Sequence, residues 1–372
     1  MRVVFACAGT GGHVNPAIAI AKIIQKNEPS SKFLFIGTKD GLENKLVQNA
    51  GYDIVHISTG KLLRELTLKN FKAIFDTYRG IGQAKKILQD FKPDLVVGTG
   101  GYICGPVMLA SKKLKIPYIL HESNAFPGIS TKLLAKNASK VMISFEDARA
   151  RLKNRKNIVY TGTPAKFNKE EYDLLDKNEC KKELGLEKVN KKIVLVTCGS
   201  QGAKKINETV MEMVAKFKNQ NYFVILVTGQ RTYDEFILKK AELEEEHKIN
   251  LDNFMKIENF VFDMDKMYKA SDICVVRGGA MTITELEICK KAAIIIPLPT
   301  AAENHQYYNA KVLENKNAAI LLEQKYLTSD VLEDKIVNLL SNDKFVKMGE
   351  NARKGSLSDV ENKIYKCIKE TV

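Results

Sequence analysis

The 372-residue chain has no tryptophan, no C-x-x-C pair and no long apolar run. Missing tryptophan excludes little, but the other absences are informative. The seven cysteines (Cys7, Cys104, Cys180, Cys198, Cys274, Cys289 and Cys367) are scattered and odd in number. That pattern argues against a disulfide framework or a zinc site and for free thiols in a reducing compartment. Several fall in strand-like runs, where cysteine serves as a small hydrophobe. No stretch reaches the roughly 18 to 20 apolar residues of a membrane span. The apolar run after Arg2 is too short for a signal segment. The expected location is therefore cytoplasmic, with any membrane contact peripheral.

The chain also has little negative charge to balance its 58 Lys and Arg: with 44 Asp and Glu, the net charge is +14. Such an excess favours anionic partners. Neither an aromatic RNA-binding pattern nor an arginine-rich stripe accompanies it, so nucleic acid is not an expected partner. Hydrophobic residues make up 45% and charged residues 27%, as in an ordinary globular protein, and the length suits two domains.

Short β-branched runs alternate with longer helical patterns. Strands are expected at 2–7, 32–36, 54–57, 95–98, 118–121, 141–144 and 158–160. Helices are expected between them at 16–25, 42–49, 70–90, 105–113 and 128–135. The pattern restarts with a strand at 192–197, a glycine turn and a helix at 204–217. Further strands are expected at 223–228, 255–258, 273–276, 293–296 and 319–321. This alternation predicts α/β architecture, two tandem Rossmann-like domains each built on a parallel sheet. The boundary is expected at 162/163, with a second domain to 343 and a helical tail over 344–372. Ligands of such sheets bind at the carboxyl ends of the strands, which makes the interdomain cleft the expected site.

Several glycine-rich turns follow strands. "GTGGHVNP" at 9–16 offers backbone room at Gly11 and Gly12, and Pro16 suits the first turn of a helix. Helix-start amides bind anions. The spacing matches neither G-x-G-x-x-G nor the P-loop, which argues against a nicotinamide-dependent oxidoreductase. A plain tight turn would explain the glycines, but not His13. Imidazole, with an ordinary pKa near ~6.5, suits a general base or proton relay.

"GTGGYICGP" at 98–106 is a second such loop. "HESNAFPG" at 121–128 holds Asn124, suited to a sugar hydroxyl or amide, and His121, expected to be structural. "CGSQGA" at 198–203 offers Ser200 to a phosphate oxygen. "RGGAMTITELE" at 277–287 places Thr282 and Thr284 near a helix start, and Glu285 where its two oxygens could accept from two ribose hydroxyls. A glutamate answering the helix dipole is the simpler alternative. "NHQYYNA" at 304–310 holds Asn304 and Gln306, both suited to sugar hydroxyls or to a helix cap.

In their order and spacing, these motifs, together with "TGTPAKF" at 161–167, closely resemble the MurG family of GT-B glycosyltransferases, essentially end to end. The family adds N-acetylglucosamine to a lipid-linked muramyl-pentapeptide precursor of peptidoglycan. The resemblance implies UDP-N-acetylglucosamine as donor, an undecaprenyl-pyrophosphate-linked acceptor (lipid I) and work at the cytoplasmic membrane face. It calls for no cofactor and no metal. It implies donor contacts from Thr10, Gly11, Gly12 and Lys166, sugar contacts from Asn124 and Gln306, and a diphosphate contact from Ser200. Val261 would offer backbone to uracil. Ala280, Met281, Thr282, Ile283, Thr284 and Glu285 would hold diphosphate and ribose, with Glu285 on the ribose. His13 is the expected catalytic base or relay, and the final helix is expected to cross back onto the first domain.

Two departures stand out. Thr163-Pro164-Ala165-Lys166 replaces the family's Asn-Pro-Val-Arg, so Lys166 keeps the charge without the bidentate fork. Cys198 stands where the family has glycine. The segment 61–78, "KLLRELTLKNFKAIFDTY", mixes Leu, Ile and Phe with Lys and Arg, as an interfacial helix on anionic lipid would. An amphipathic helix packed on the sheet has the same composition. The alternatives are another GT-B lipid glycosyltransferase, or a UDP-sugar-binding protein without transfer activity.

Overall fold

A computed structural model describes residues 1–60, 68–153, 156–199, 202–217 and 220–372, without the side chains of 68–74 and 342. The chain forms two compact units. The first comprises Met1–Lys166 and Leu357–Val372, the second Phe167–Ser356.

The first unit runs β1 (Arg2–Cys7), α1 (Gly11–Asn27), β2 (Lys32–Gly37), α2 (Glu43–Asn49), β3 (Ile54–His56) and α3 (Leu68–Phe91). It continues through β4 (Leu95–Gly100), α4 (Cys104–Lys113), β5 (Tyr118–Glu122), α5 (Ile129–Leu134), β6 (Lys140–Ile143) and β7 (Ile158–Tyr160). Its seven strands lie parallel in the order β3-β2-β1-β4-β5-β6-β7. Runs such as Val3-Val4-Phe5-Ala6-Cys7 are wholly buried because helices cover both faces of the sheet.

The second unit opens on α6 (Lys169–Leu174) and α7 (Lys177–Glu183). Then come β8 (Lys192–Thr197), α8 (Lys204–Lys216), β9 (Tyr222–Val227), α9 (Tyr233–His247), β10 (Met255–Glu258) and α10 (Met264–Ala270). After these follow β11 (Ile273–Val276), α11 (Ala280–Ile288), β12 (Ala292–Ile295), α12 (His305–Asn315), β13 (Ala319–Leu321), α13 (Ser329–Leu340) and α14 (Lys344–Gly355). Its six strands are parallel in the order β10-β9-β8-β11-β12-β13.

The tail divides between the units: α14 stays in the second, while α15 (Val360–Lys369) joins the first. There Ile364, Cys367 and Ile368 enter the cluster that holds Val3, Phe5, Ala17 and Ile20. Tyr365 Oη and Lys369 Nζ donate to Glu28 at the C-cap of α1, at 2.9 and 2.7 Å.

In each sheet the chain order reverses at one place, between β1 and β4 and between β8 and β11. The carboxyl ends beside such a switch point form the ligand crevice of doubly wound sheets.

Candidate active site

Both glycine-rich loops of the first unit leave adjacent strands at its switch point. Helix α1 begins at Gly11, five residues before the Pro16 start read from the sequence. His13 therefore stands in the first helical turn rather than in a loop. Pro16 is buried inside the helix and gives no N–H to the Gly12 carbonyl. Thr10 caps the helix by backbone alone: its carbonyl accepts from His13 and Val14 at 3.0 and 3.2 Å. The first helical amides, Gly11 and Gly12, have no partner within the helix and suit an anion or a sugar oxygen.

His13 is half-buried and locked at three points. Its Nδ1 lies 3.0 Å from the Ala8 carbonyl, an acceptor only, so in the neutral ring Nδ1 carries the proton and Nε2 the lone pair. Its own carbonyl accepts from Thr99 Oγ1 at 2.6 Å. The ring lies on Gly100, whose φ is +122° and where a Cβ would fall 2.4 Å from His13 Cδ2. Gly101, φ +88°, passes so close to the Ala8 carbonyl that a Cβ would sit 2.5 Å from its oxygen. Sequence reading singled out the two loops separately; their glycines let one close over the other.

A third loop joins them. Ser130 Oγ, in α5, donates to the Gly101 carbonyl at 3.3 Å. Buried Glu122 organises the turn before α5, accepting from the Asn124 amide N–H and Nδ2, Gly128 N and Thr131 Oγ1. Asn124 is thus held beside the cluster through its backbone and its amide. His121 is a core residue, 1% exposed, with Ser123 and Ser144 hydroxyls and the Gly162 carbonyl around its ring. Burial pulls its pKa down to about 4, so the ring is neutral. Lys166 stands exposed at the last position of this segment.

In the second unit the loops after β8 and β11 flank the switch point. Gly199 and Gly202 have φ of +80° and +69°, and a Cβ on Gly202 would meet the Thr228 carbonyl at 1.8 Å. Ser200 lies outside the described residues. Cys198 packs against the core, its thiol pushed up to about 12 by burial against the opposing pull of Arg277. The thiol is neutral and fills space. Arg277, unassigned from sequence, braces the loops after β11 and β12 by donating to the Ile296 and Pro297 carbonyls and to Gln324.

Helix α11 starts with Gly279 as cap, leaving the amides of Ala280, Met281 and Thr282 without intrahelical acceptors. Ile283 differs. Its side chain is fully buried and its N–H closes on the Gly279 carbonyl at 3.0 Å, so it anchors the turn. Thr284 and Glu285 are half-buried one turn on. Tyr268 Oη, on the buried face of α10, donates to Glu285 Oε2 at 3.1 Å, a support invisible in the sequence. Gln306, the second residue of α12, accepts from Leu298 N at 3.0 Å and packs its backbone on Gly278. Asn304 is the cap of α12, in the left-handed region and without a side-chain capping bond. Val261 lies beyond β10 on the sheet's edge, two strands from β8. Among the described residues, no group of three or more His, Cys, Asp or Glu is placed to hold a metal ion.

The sequence matches the glycosyltransferase family 28 N-terminal domain over residues 3–143 and the family's C-terminal domain over 193–364. The chain belongs to glycosyltransferase family 28. Within this family it resembles UDP-N-acetylglucosamine–N-acetylmuramyl-(pentapeptide) pyrophosphoryl-undecaprenol N-acetylglucosamine transferases. One from Thermoanaerobacter sp. (strain X514) is 42% identical over 99% of both chains. Another from Acetivibrio thermocellus is 37% identical over 100% of this chain and 98% of its own. The crystal structure of Acinetobacter baumannii MurG superposes with a TM-score of 0.77 at 26% identity, covering 99% of each chain. The fold is GT-B, and the family 28 chain is a glycosyltransferase, as the sequence resemblance implied.

Proposed function

We propose that this family 28 enzyme transfers N-acetylglucosamine from UDP-N-acetylglucosamine to the C4 hydroxyl of undecaprenyl-pyrophosphoryl-N-acetylmuramyl-pentapeptide, with inversion, to build the lipid-linked peptidoglycan disaccharide. The observation that carries this reading is 42% identity spanning 99% of a transferase with that name. In a single displacement the acceptor hydroxyl attacks the anomeric carbon, its proton goes to a base and UDP leaves. His13 supplies the base through Nε2, the nitrogen left with a lone pair by the Ala8 bond. The amides of Ala280, Met281 and Thr282 meet the departing diphosphate at the start of α11, aligned with the helix dipole. Ser200 adds a hydroxyl to that diphosphate, and Glu285 accepts from the ribose. Asn124 and Gln306 face sugar hydroxyls, Val261 offers backbone to the uracil, and Thr10, Gly11, Gly12 and Lys166 complete the donor contacts.

The acceptor is lipid-borne, so the reading includes peripheral contact with an anionic membrane at the cytoplasmic face. Among the described residues no helix is long and apolar enough to cross a membrane. Instead Phe75 and Tyr78 of α3 are 70% and 73% exposed, and Leu133 of α5 is 73% exposed. Part of the interfacial segment read from sequence, residues 61–67, lies outside the described residues. The direct test supplies labelled UDP-N-acetylglucosamine and a lipid I analogue. The expected result is UDP release matched by a lipid-linked disaccharide. Donor binding without product would overturn transferase activity, and turnover only with a diacylglycerol acceptor would replace the assigned acceptor.

A further inference from the structure

Glu43, the first residue of α2, is completely buried, and sequence reading gave it no role. A carboxylate is hidden at this cost only where it is fully hydrogen-bonded. Its Oε1 accepts from Thr38 N at 2.9 Å and Thr38 Oγ1 at 2.6 Å. Its Oε2 accepts from Gly9 N at 3.2 Å. The chain is cut away to admit it: a Cβ on Gly41 would stand 2.1 Å from Oε1, and one on Gly37 would stand 2.8 Å from Cγ. The neighbouring Asn44 clamps this turn by donating to the carbonyls of Thr38, Lys39 and Gly41 at 3.0, 2.9 and 3.0 Å.

The Gly9 N–H belongs to the same peptide group as the Ala8 carbonyl, and that carbonyl holds His13 Nδ1 at 3.0 Å. A continuous line of donors and acceptors therefore runs from the Glu43 carboxylate, through one rigid amide plane, to the imidazole. A hydrogen bond at the N–H side of an amide strengthens its oxygen as an acceptor, because bonds in a chain polarise one another. We propose that Glu43 is a positioning residue for His13, acting through the Ala8–Gly9 peptide to fix the imidazole with its proton on Nδ1 and its lone pair on Nε2. The arrangement resembles a carboxylate–histidine pair with a peptide group interposed. Burial pushes the Glu43 carboxyl upward, but the bonds from Thr38 and Gly9 outweigh it and the net shift is downward, so the group is ionised.

The inference rests on His13 being the base, and its test reads the imidazole itself as well as turnover. The full chain is labelled with 15N-histidine, and its five histidines are resolved in long-range proton–nitrogen spectra, His13 being assigned by its loss in His13→Gln. The wild type is expected to show His13 as the Nδ1–H tautomer. An Nε2–H tautomer there overturns the proposal without any variant. In Glu43→Gln the amide oxygen still serves Thr38, but the NH2 group faces the Gly9 N–H, donor against donor. The expected result is a mixed tautomer, with kcat down by about tenfold or more while KM for the donor moves less than about threefold. An unchanged tautomer and kcat in a folded E43Q would overturn it. Glu43→Asp keeps the charge one methylene short, and serves if E43Q does not fold: the same two readouts move in the same direction, or the proposal falls. Loss of the His13 catalytic role would show separately: His13→Ala would turn over fully while the wild-type enzyme still showed the Nδ1–H tautomer.

Discussion

His13 owes its character to other residues' backbone: Ala8 sets which nitrogen is free, Thr99 pins its carbonyl, and Gly100 makes room for the ring. Replacing it with alanine should lower kcat by about 10²- to 10⁴-fold, the usual worth of a positioned general base, with donor affinity retained. Steady-state assays with a lipid I analogue check this; turnover near wild type would remove the base assignment. Glu285 depends likewise on the buried Tyr268 hydroxyl. In Tyr268→Phe the carboxylate loses a charge-assisted bond worth about 1.5–3 kcal/mol, so the melting temperature should fall by a few degrees and UDP affinity by calorimetry, measured on the folded variant, about tenfold or more. Unaltered affinity would show that this bond does not hold Glu285 in place for the proposed donor contact. His13 and Glu285 were singled out by residue type and motif. Glu43 and Tyr268 were not: a glutamate or a tyrosine in a short, charged helix looks the same whether or not it supports a site.

At the scale of elements, all thirteen strands were legible, most to within a residue. Parallel strands covered on both faces are unbroken β-branched runs, and the sequence carries little else that resembles them. Helix α1 was harder. Two glycines and a proline in its first six residues conceal a helix that starts at Gly11, because tertiary contacts with Thr99 and Gly100 override weak local preference. Helices α3 and α5 carry the exposed Phe75, Tyr78 and Leu133 on the outside of the first unit. Changing Phe75 and Tyr78 to serine removes apolar anchors without touching a buried contact. Flotation with anionic vesicles should show binding reduced several-fold, while turnover on a short-chain, water-soluble acceptor stays unchanged. Equal flotation of variant and wild type would reject these helices as the membrane face.

At the scale of the molecule, two doubly wound units were legible from the restart of the strand–helix pattern. The split of the tail was not, since α14 and α15 are both short amphipathic helices and only their packing distinguishes them. Stability of the first unit should depend on pH through His121, which burial keeps neutral with a pKa near 4. The unfolded ring titrates near ~6.5, so the unfolded chain binds the extra proton first. Stability is complete above that value and declines as pH falls from 6.5 toward 4, by at most roughly 3 kcal/mol. Urea unfolding at pH 7.5 and pH 5 measures it, and His121→Asn should show a shallower decline. An identical pH dependence in the variant would assign the effect elsewhere.

The core of the first unit includes Ile364, Cys367 and Ile368, more than 350 residues along the chain from Val3 and Phe5 in the same cluster. During synthesis, the cluster built by α1 on the first sheet lacks α15 until the last residues emerge, while the second unit, continuous from Phe167 to Ser356, already has its whole sequence. The unit that comes first in the sequence is thus the last to have all of its residues. The contacts of Tyr365 and Lys369 with Glu28 therefore wait for the last residues of the chain.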